Sequence, residues 1–134
     1  MKQYKYQIGF AIAMVVLAML ACSFSASTAS IKSAQMYRDP DGNEPTTVFA
    51  PTDIFYCLVD LANAPDDTTV KAAWTAVQVE GVEPDFFIDE TELTSGSNTL
   101  TFQLSNDAPW PAGQYKVDLY LNGELDRTLE FEVR

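Results

Sequence analysis

The chain has 134 residues, of which 47% are hydrophobic, carries a formal net charge of −11 at pH 7, and contains no histidine. This length corresponds to one domain, and the lack of histidine excludes the histidine-dependent catalytic triads and most catalytic zinc sites. A surface this acidic repels phosphate, so the composition also excludes nucleic acid as a partner.

The first 21 residues have the pattern of a secretory signal peptide. Two lysines precede an apolar run of 13 residues, 8–20, and small residues follow it. The run is shorter than the roughly 20 residues that a membrane-spanning helix needs, which favours a cleaved export signal over a permanent anchor. We therefore expect residues 1–21 to be a signal peptide, 22–30 a flexible tether and 31–134 the folded domain.

Cys22 follows the apolar run directly and ends the segment Met19-Leu20-Ala21-Cys22. This segment resembles the lipobox of bacterial lipoproteins, in which a peptidase cuts before a cysteine that carries lipid, although the usual order of the leucine and the small residue is not kept. The resemblance implies a membrane anchor through lipid at Cys22, on the outer face of the cytoplasmic membrane, in the periplasm or at the cell surface. Two alternatives stay open: an uncleaved anchor, or cleavage after Ala29 to give a secreted protein.

From Ile31 onward, apolar and polar side chains alternate between clusters of Gly, Pro, Asn and Asp, which predicts strands and turns. No stretch has a helical period. The alternation is clearest in five segments: 55–61, 70–76, 100–104, 115–121 and 129–133. Three further segments are candidate strands: 31–38, 47–50 and 86–93. About seven short strands in a domain of this size predict an antiparallel β-sandwich.

The dipeptide Asn122-Gly123 predicts the turn between the last two strands. A two-residue loop would place polar residues of the last strand opposite the apolar face of the preceding one. A three-residue loop, 121–123, shifts the register by one residue and restores apolar neighbours. We therefore expect two pairs across this hairpin: Leu119 with Leu125, and Tyr115 with Leu129.

Cys57 and Trp74 are separated by 17 positions, a spacing that resembles the cysteine and tryptophan of strands B and C in immunoglobulin domains. Residues 111–117 resemble the tyrosine corner of that family, with Tyr115 two places before the position of the second cysteine. That position holds valine, so Cys57 is expected to pack as a small hydrophobe without a disulfide. The chain is also similar, through residues 110–123, to small exported bacterial proteins with one immunoglobulin-like domain. The resemblance implies an all-β, immunoglobulin-like antiparallel β-sandwich with structural roles for Cys57, Trp74 and Tyr115, and it implies no activity.

A cluster of oxygen-bearing side chains surrounds Gly42 in the segment 39–44. Carboxylate and amide oxygens on a sharp turn are the ligands that Ca²⁺ prefers, although the full EF-hand loop is absent. Asp, Gly and Asn also form turns without any metal. Both interpretations stay open, and no other cofactor is expected. The candidate calcium ligands are Asp39, Asp41, Asn43 and Glu44.

Two further segments carry hypotheses of activity. The acidic residues of 85–92 could supply the paired carboxylates of a glycosidase, but we expect a solvated loop there, and acid–base catalysis needs a carboxyl in an apolar pocket. Residues 43–47 partly resemble the inhibitory loop of chagasin-type cysteine-protease inhibitors, with Glu44 and Val48 departing from the motif. This second resemblance implies an inhibitor that occupies the cleft of another protein.

Several aromatic residues lie outside the predicted core faces: Tyr56, Trp110 and Tyr120, with Phe86 and Phe87 in a predicted loop. Exposed rings stack on sugars or anchor protein partners, whereas large apolar rings are usually buried, so Trp110 is either a contact residue or a cap on the core. The sequence therefore predicts a non-enzymatic binding or structural module of the cell envelope, with an envelope protein or a glycan as its partner. The alternative is a secreted inhibitor or accessory domain.

Overall fold

The computed structural model describes residues 28–134, so the predicted signal peptide and Cys22 lie outside the described residues. The described chain contains eight strands and no helix, and hence no helix able to cross a membrane. The strands are β1 (Ser30–Tyr37), β2 (Val48–Phe49), β3 (Phe55–Ala62), β4 (Thr68–Val79), β5 (Phe86–Ser95), β6 (Thr99–Leu104), β7 (Gly113–Leu121) and β8 (Glu124–Val133). Every segment predicted as a strand is therefore confirmed, and the shortest of them is the two-residue β2.

The strands form two sheets of unequal width. One has three strands in the order β1-β3-β6, and the other has five in the order β2-β8-β7-β4-β5. All pairs are antiparallel except β2 with β8. The predicted all-β sandwich is confirmed, and the five-stranded sheet is wider than the sheet that covers it.

The core lies between the two sheets because strands such as β3 and β7 place every second side chain inward. Phe55, at the start of β3, is fully buried in this core, stacked on Trp110 with the ring centroids 4.5 Å apart and with its centroid 4.8 Å from that of the Phe131 ring. Aromatic rings in offset and edge-on contact add to the free energy of burial. The core around Phe55 is thus an aromatic cluster.

The hairpin between β7 and β8 differs from the predicted register. Asn122 and Gly123 both have positive φ, as a two-residue type I′ turn requires, and Leu121 pairs with Glu124. The extra residue is accommodated by a bulge at Asp126, further along β8, rather than in the loop. The observed pairs are Tyr115 with Phe131, Val117 with Leu129, and Leu119 with Arg127. The predicted pairs Leu119 with Leu125 and Tyr115 with Leu129 are therefore wrong.

The two ends of the sandwich differ in what they carry. The described chain enters at one end, where the Thr28 hydroxyl donates a hydrogen bond to the Asn63 carbonyl at 2.8 Å and Ser30 pairs with Ala62. We call this the N-terminal end and the opposite one the far end. Strand β5 runs between them, since Phe86 lies at the far end and Ser95 at the N-terminal end. Residues 28–30, assigned to the predicted tether, thus contact the fold.

Candidate functional site

Trp110, the foremost predicted contact residue, is packed into the core at the far end. Only 7% of the residue is exposed. Its indole N–H donates a hydrogen bond to the Asp53 carbonyl at 3.0 Å, and its ring stacks on Phe55. The polar and apolar parts of the side chain are both satisfied inside the protein. Of the two alternatives for Trp110, a contact residue or a cap on the core, the structure shows the cap.

The tyrosine corner positions the loop that carries Trp110. The Tyr115 hydroxyl donates a hydrogen bond to the Pro111 carbonyl at 2.6 Å, and burial raises the pKa of Tyr115 to about 12. Gly113, at φ 150°, lies directly against the backbone of Val79, where a β-carbon would collide. The glycine and the tyrosine together fix the turn into β7.

Cys57 and Trp74 face the core from opposite sheets. Cys57 is fully buried with a free thiol, and desolvation raises its pKa to about 12. A nucleophilic cysteine needs the opposite change, a lowered pKa at an accessible position. Trp74 is 1% exposed and lies edge-on to Phe131. Both residues serve the packing of the domain.

Tyr56 and Tyr120, the other predicted contact residues, lie on opposite outer faces of the sandwich. Tyr56 pairs with Tyr37 on the three-stranded sheet, and Tyr37 lines a pocket that reaches Asp60. Tyr120 lies on the five-stranded sheet beneath the ammonium group of Lys71, which is 4.6 Å from the ring centroid. Both tyrosines are half-buried. The structure does not bring the predicted contact residues Tyr56, Trp110 and Tyr120 together.

The segment considered for calcium is organised by one carboxylate. Asp39 accepts hydrogen bonds from the backbone N–H groups of Asn43, at 2.9 and 3.0 Å to its two oxygens, and of Glu44 at 2.8 Å. The bond from Asn43 is the main reason why the pKa of Asp39 lies below its usual value. Within residues 28–134, no group of three or more histidine, cysteine, aspartate or glutamate side chains is placed to hold a metal ion. The Asp39 carboxylate therefore stabilises a turn.

The segment that resembles an inhibitory loop lies along the sheet edge. Thr46 donates its backbone N–H to the Met36 carbonyl at 3.1 Å, and its hydroxyl donates to the Val48 carbonyl at 2.8 Å. Pro45 forms a bridge with Tyr37. These contacts hold the segment against β1 and β2, and Asn43, Glu44, Pro45 and Thr47 are exposed there.

The acidic segment, for which the sequence offered both a candidate strand and a solvated loop, is part of strand β5. Phe86 and Phe87 begin the strand, and they are 50% and 53% exposed. Asp89, Glu90 and Glu92 follow, and all three are exposed. A bulge between Phe87 and Asp89 interrupts the pairing with β4. Most residues of β5 are exposed, so the segment lacks the clear alternation that marks a half-buried strand.

Strand β5 combines two features that the rest of the described surface lacks together. It is the edge of the five-stranded sheet, and within residues 28–134 no strand pairs with its other side. It also carries two consecutive exposed phenylalanines, whereas the remaining large exposed hydrophobics, Ile54 and Leu125, stand singly. Adjacent exposed rings on an unpaired edge are typical of an interaction surface.

Comparison with known proteins bears on the fold. An immunoglobulin-like protein from Pseudomonas aeruginosa matches with a TM-score of 0.55 and 14% identity, over 82% of this chain and 99% of that one. The fold is immunoglobulin-like. An alkylpurine DNA glycosylase of Pseudomonas fluorescens, bound to DNA containing an abasic site analog, matches with a TM-score of 0.53 and 18% identity, over 81% of this chain and 31% of that chain. A β-glucosidase from Listeria innocua matches with a TM-score of 0.51 and 14% identity, over 82% and 16%.

These likenesses extend to the immunoglobulin-like fold and no further. The chain spans about a third of the glycosylase and about a sixth of the glucosidase. A fold shared at this level of identity hosts many unrelated functions. No family model matches the sequence, and no curated protein matches it. The function must therefore be argued from the residues of this chain.

Proposed function

We propose that this chain is an exported, lipid-anchored binding module of the cell envelope, without catalytic activity of its own, which holds a protein partner through strand β5. The exposure of Phe86 and Phe87 is the observation that carries the proposal. Aromatic side chains are enriched at protein interfaces because they bury a large area for few rotatable bonds. Two such rings left half in water, on a strand with a free edge, favour a partner that covers them.

The placement of the rings agrees with an anchor at Cys22. Only five residues, 23–27, would separate the lipid-bearing cysteine from Thr28, a reach of about 20 Å. The N-terminal end of the sandwich would therefore lie close to the membrane. Phe86 lies at the opposite end of β5, roughly 25 Å further out at the usual rise per residue of a strand. The contact surface would thus be presented away from the lipid.

The side chains available for chemistry support a module without activity of its own. The sequence has no histidine, and Cys57 is buried with a raised pKa. The carboxylates of β5 are exposed, whereas a catalytic acid needs an apolar pocket that keeps its proton. A contact surface needs none of these groups. The alternative is a secreted inhibitor or accessory domain. Such a domain would also bind a protein partner, but it would be released from the membrane.

The proposal is tested by photo-cross-linking in the cells that make the protein. A benzophenone amino acid replaces Phe87, and in the matched control it replaces Leu125, which is equally exposed at the other end of the sandwich. We expect a discrete adduct at position 87, absent at 125, together with an acylated Cys22 by mass spectrometry of the membrane fraction. In a Cys22→Ser chain the acyl mass and the membrane association should both disappear.

Two results would count against the proposal. If positions 87 and 125 gave the same adducts, the phenylalanine pair would not be a specific contact surface. If the protein were found in the medium with a free N-terminus near Ser30, it would be a secreted domain, and the inhibitor or accessory function would replace the anchored module.

A further inference from the structure

Strand β5 is an exposed edge strand of the five-stranded sheet. In the register of the five-stranded sheet, Thr91 lies beside Ala72, which is fully buried, yet Thr91 itself is exposed. The opposite sheet has three strands, two fewer than the sheet that ends in β5. Ile88 and Leu93 pack against the core, but the other residues of β5 are mostly exposed, and within residues 28–134 no strand pairs with its outer edge.

The open edge offers backbone hydrogen bonds. Along an edge strand, every second residue directs its N–H and C=O groups away from the sheet. The N–H of Glu90 donates to the carboxylate of Asp89 at 2.8 Å. A single side chain shields this donor, and the outward groups of the strand are available to another extended segment.

The charge on β5 is only partly neutralised within the domain. The ammonium group of Lys71 lies 3.7 Å from the carboxylate of Glu90. No ion pair of the described residues involves Asp89 or Glu92. A segment laid against this edge would meet negative charge that calls for basic side chains.

The same charge disfavours the two occupants that the chain itself could supply. A second copy would bring its own β5 carboxylates against these, and like charges opposite each other destabilise a strand pair. The tether left after cleavage before Cys22 has the residues 22–27, which are Cys, Ser and Ala with one Phe and carry no basic side chain. Neither occupant brings basic side chains to this edge, so we take the complementary segment to come from another protein.

We infer that the partner contributes an extended, basic segment that pairs with the free edge of β5 as a further strand of the five-stranded sheet. This inference rests on the proposed function and specifies its partner. Phe87, Glu90 and Glu92 share the outer face of the sheet, because they pair with Thr75, Ala73 and Lys71 of β4. The partner strand should therefore carry two basic residues at alternate positions and an apolar residue toward the far end.

The test uses the full chain in a non-ionic detergent and a fluorescent ten-residue peptide that alternates valine and lysine. Fluorescence anisotropy should report saturable binding, and glutamate in place of the lysines should abolish it. N-methylation of every second amide should also abolish it, since methylation removes the backbone donors and leaves the charge unchanged. Glu90→Gln with Glu92→Gln should weaken binding about 5- to 10-fold, from the loss of two cross-strand pairs.

The matched control changes two glutamates elsewhere. Glu124→Gln with Glu130→Gln, both exposed on β8, removes the same charge and should leave the affinity unchanged. If the methylated peptide bound as tightly as the unmethylated one, the interaction would depend on charge alone and not on backbone hydrogen bonds, which would overturn the inference. A similar loss in the control pair would do the same.

A measurement of self-association tests whether a second copy of the chain pairs with β5 instead. Analytical ultracentrifugation of the Cys22→Ser chain should give a monomer, and a dimer that Phe87→Thr dissociates would make a second copy the occupant and overturn the inference. A specific cross-link at position 87 in cells, without binding of the valine–lysine peptide, would support the proposed function. It would overturn only the inference that the partner contributes a basic strand.

Discussion

The far end of the sandwich carries two groups of aromatic rings whose environments are opposite. Phe55 has no exposed surface and contacts Phe49, Trp110, Tyr115 and Phe131 with ring centroids 4.5–5.6 Å apart. Phe86 and Phe87, at the same end, leave half of their surface in water. The difference follows from strand position, because β3 is the central strand of the three-stranded sheet whereas β5 is an edge strand of the five-stranded one.

Residue type and membership of a strand therefore do not decide by themselves whether a side chain is buried in this domain. Phenylalanine at the start of β3 and phenylalanine at the start of β5 are equally apolar. Only the first lies on the central strand of its sheet. The aromatic core should therefore determine stability, and the β5 pair should determine binding.

The largest expected effect is at the centre of the buried group. Phe55→Ala should reduce the free energy of unfolding by about 3–5 kcal/mol, since the change removes a fully buried ring and leaves a cavity. Urea denaturation followed by tryptophan fluorescence measures it. Phe55→Leu, which keeps most of the volume, should cost less than about 1.5 kcal/mol. If Phe55→Ala reduced the free energy of unfolding by less than about 1 kcal/mol, the buried and the exposed aromatic rings would not differ in their contribution to stability.

An intermediate effect is expected at Cys57. Cys57→Ser should cost about 1–3 kcal/mol, because a hydroxyl in the apolar core lacks a hydrogen-bond partner. The thiol also makes stability depend on pH, since its pKa is raised from 9.0 to about 12. Below pH 9 the thiol is protonated in both states and its contribution is constant. Above pH 9 it ionises only in the unfolded state, so the free energy of unfolding falls as the pH rises toward 12.

The pH dependence has a direct control in Cys57→Ala. The difference in unfolding free energy between wild type and this variant, measured by urea denaturation, should be constant from pH 6 to 8. It should then change in favour of the variant by up to about 1.4 kcal/mol per pH unit above 9. An unchanged difference up to pH 11 would mean that the thiol is accessible to solvent in the folded protein.

Most of the strands could be predicted because each places one face on the core. The alternation in β3, β6, β7 and β8 is a direct consequence of that geometry. The likeness of 111–117 to a tyrosine corner was visible for a similar reason, since the motif is local and its hydrogen bond joins residues only four apart. Local patterns in the sequence were thus sufficient to predict the fold class.

The hairpin register, the burial of Trp110 and the exposure of β5 could not be decided from the sequence because all three depend on tertiary context. The bulge at Asp126 has no local signal, and it satisfies both the Asn-Gly turn and the apolar face of β8. Trp110 is buried by β3, far away in the sequence. The exposure of β5 follows from its position at the edge of the five-stranded sheet, which no segment of the sequence encodes by itself.

The smallest effect on stability is expected at the exposed pair. Phe86→Thr and Phe87→Thr keep β-propensity and remove rings that are already half in water, so each should change the free energy of unfolding by no more than about 1 kcal/mol. The same changes should remove the cross-link partner in cells. If either cost as much stability as Phe55→Ala, the rings would be part of the core. The exposure on which the binding proposal rests would then have a structural explanation instead.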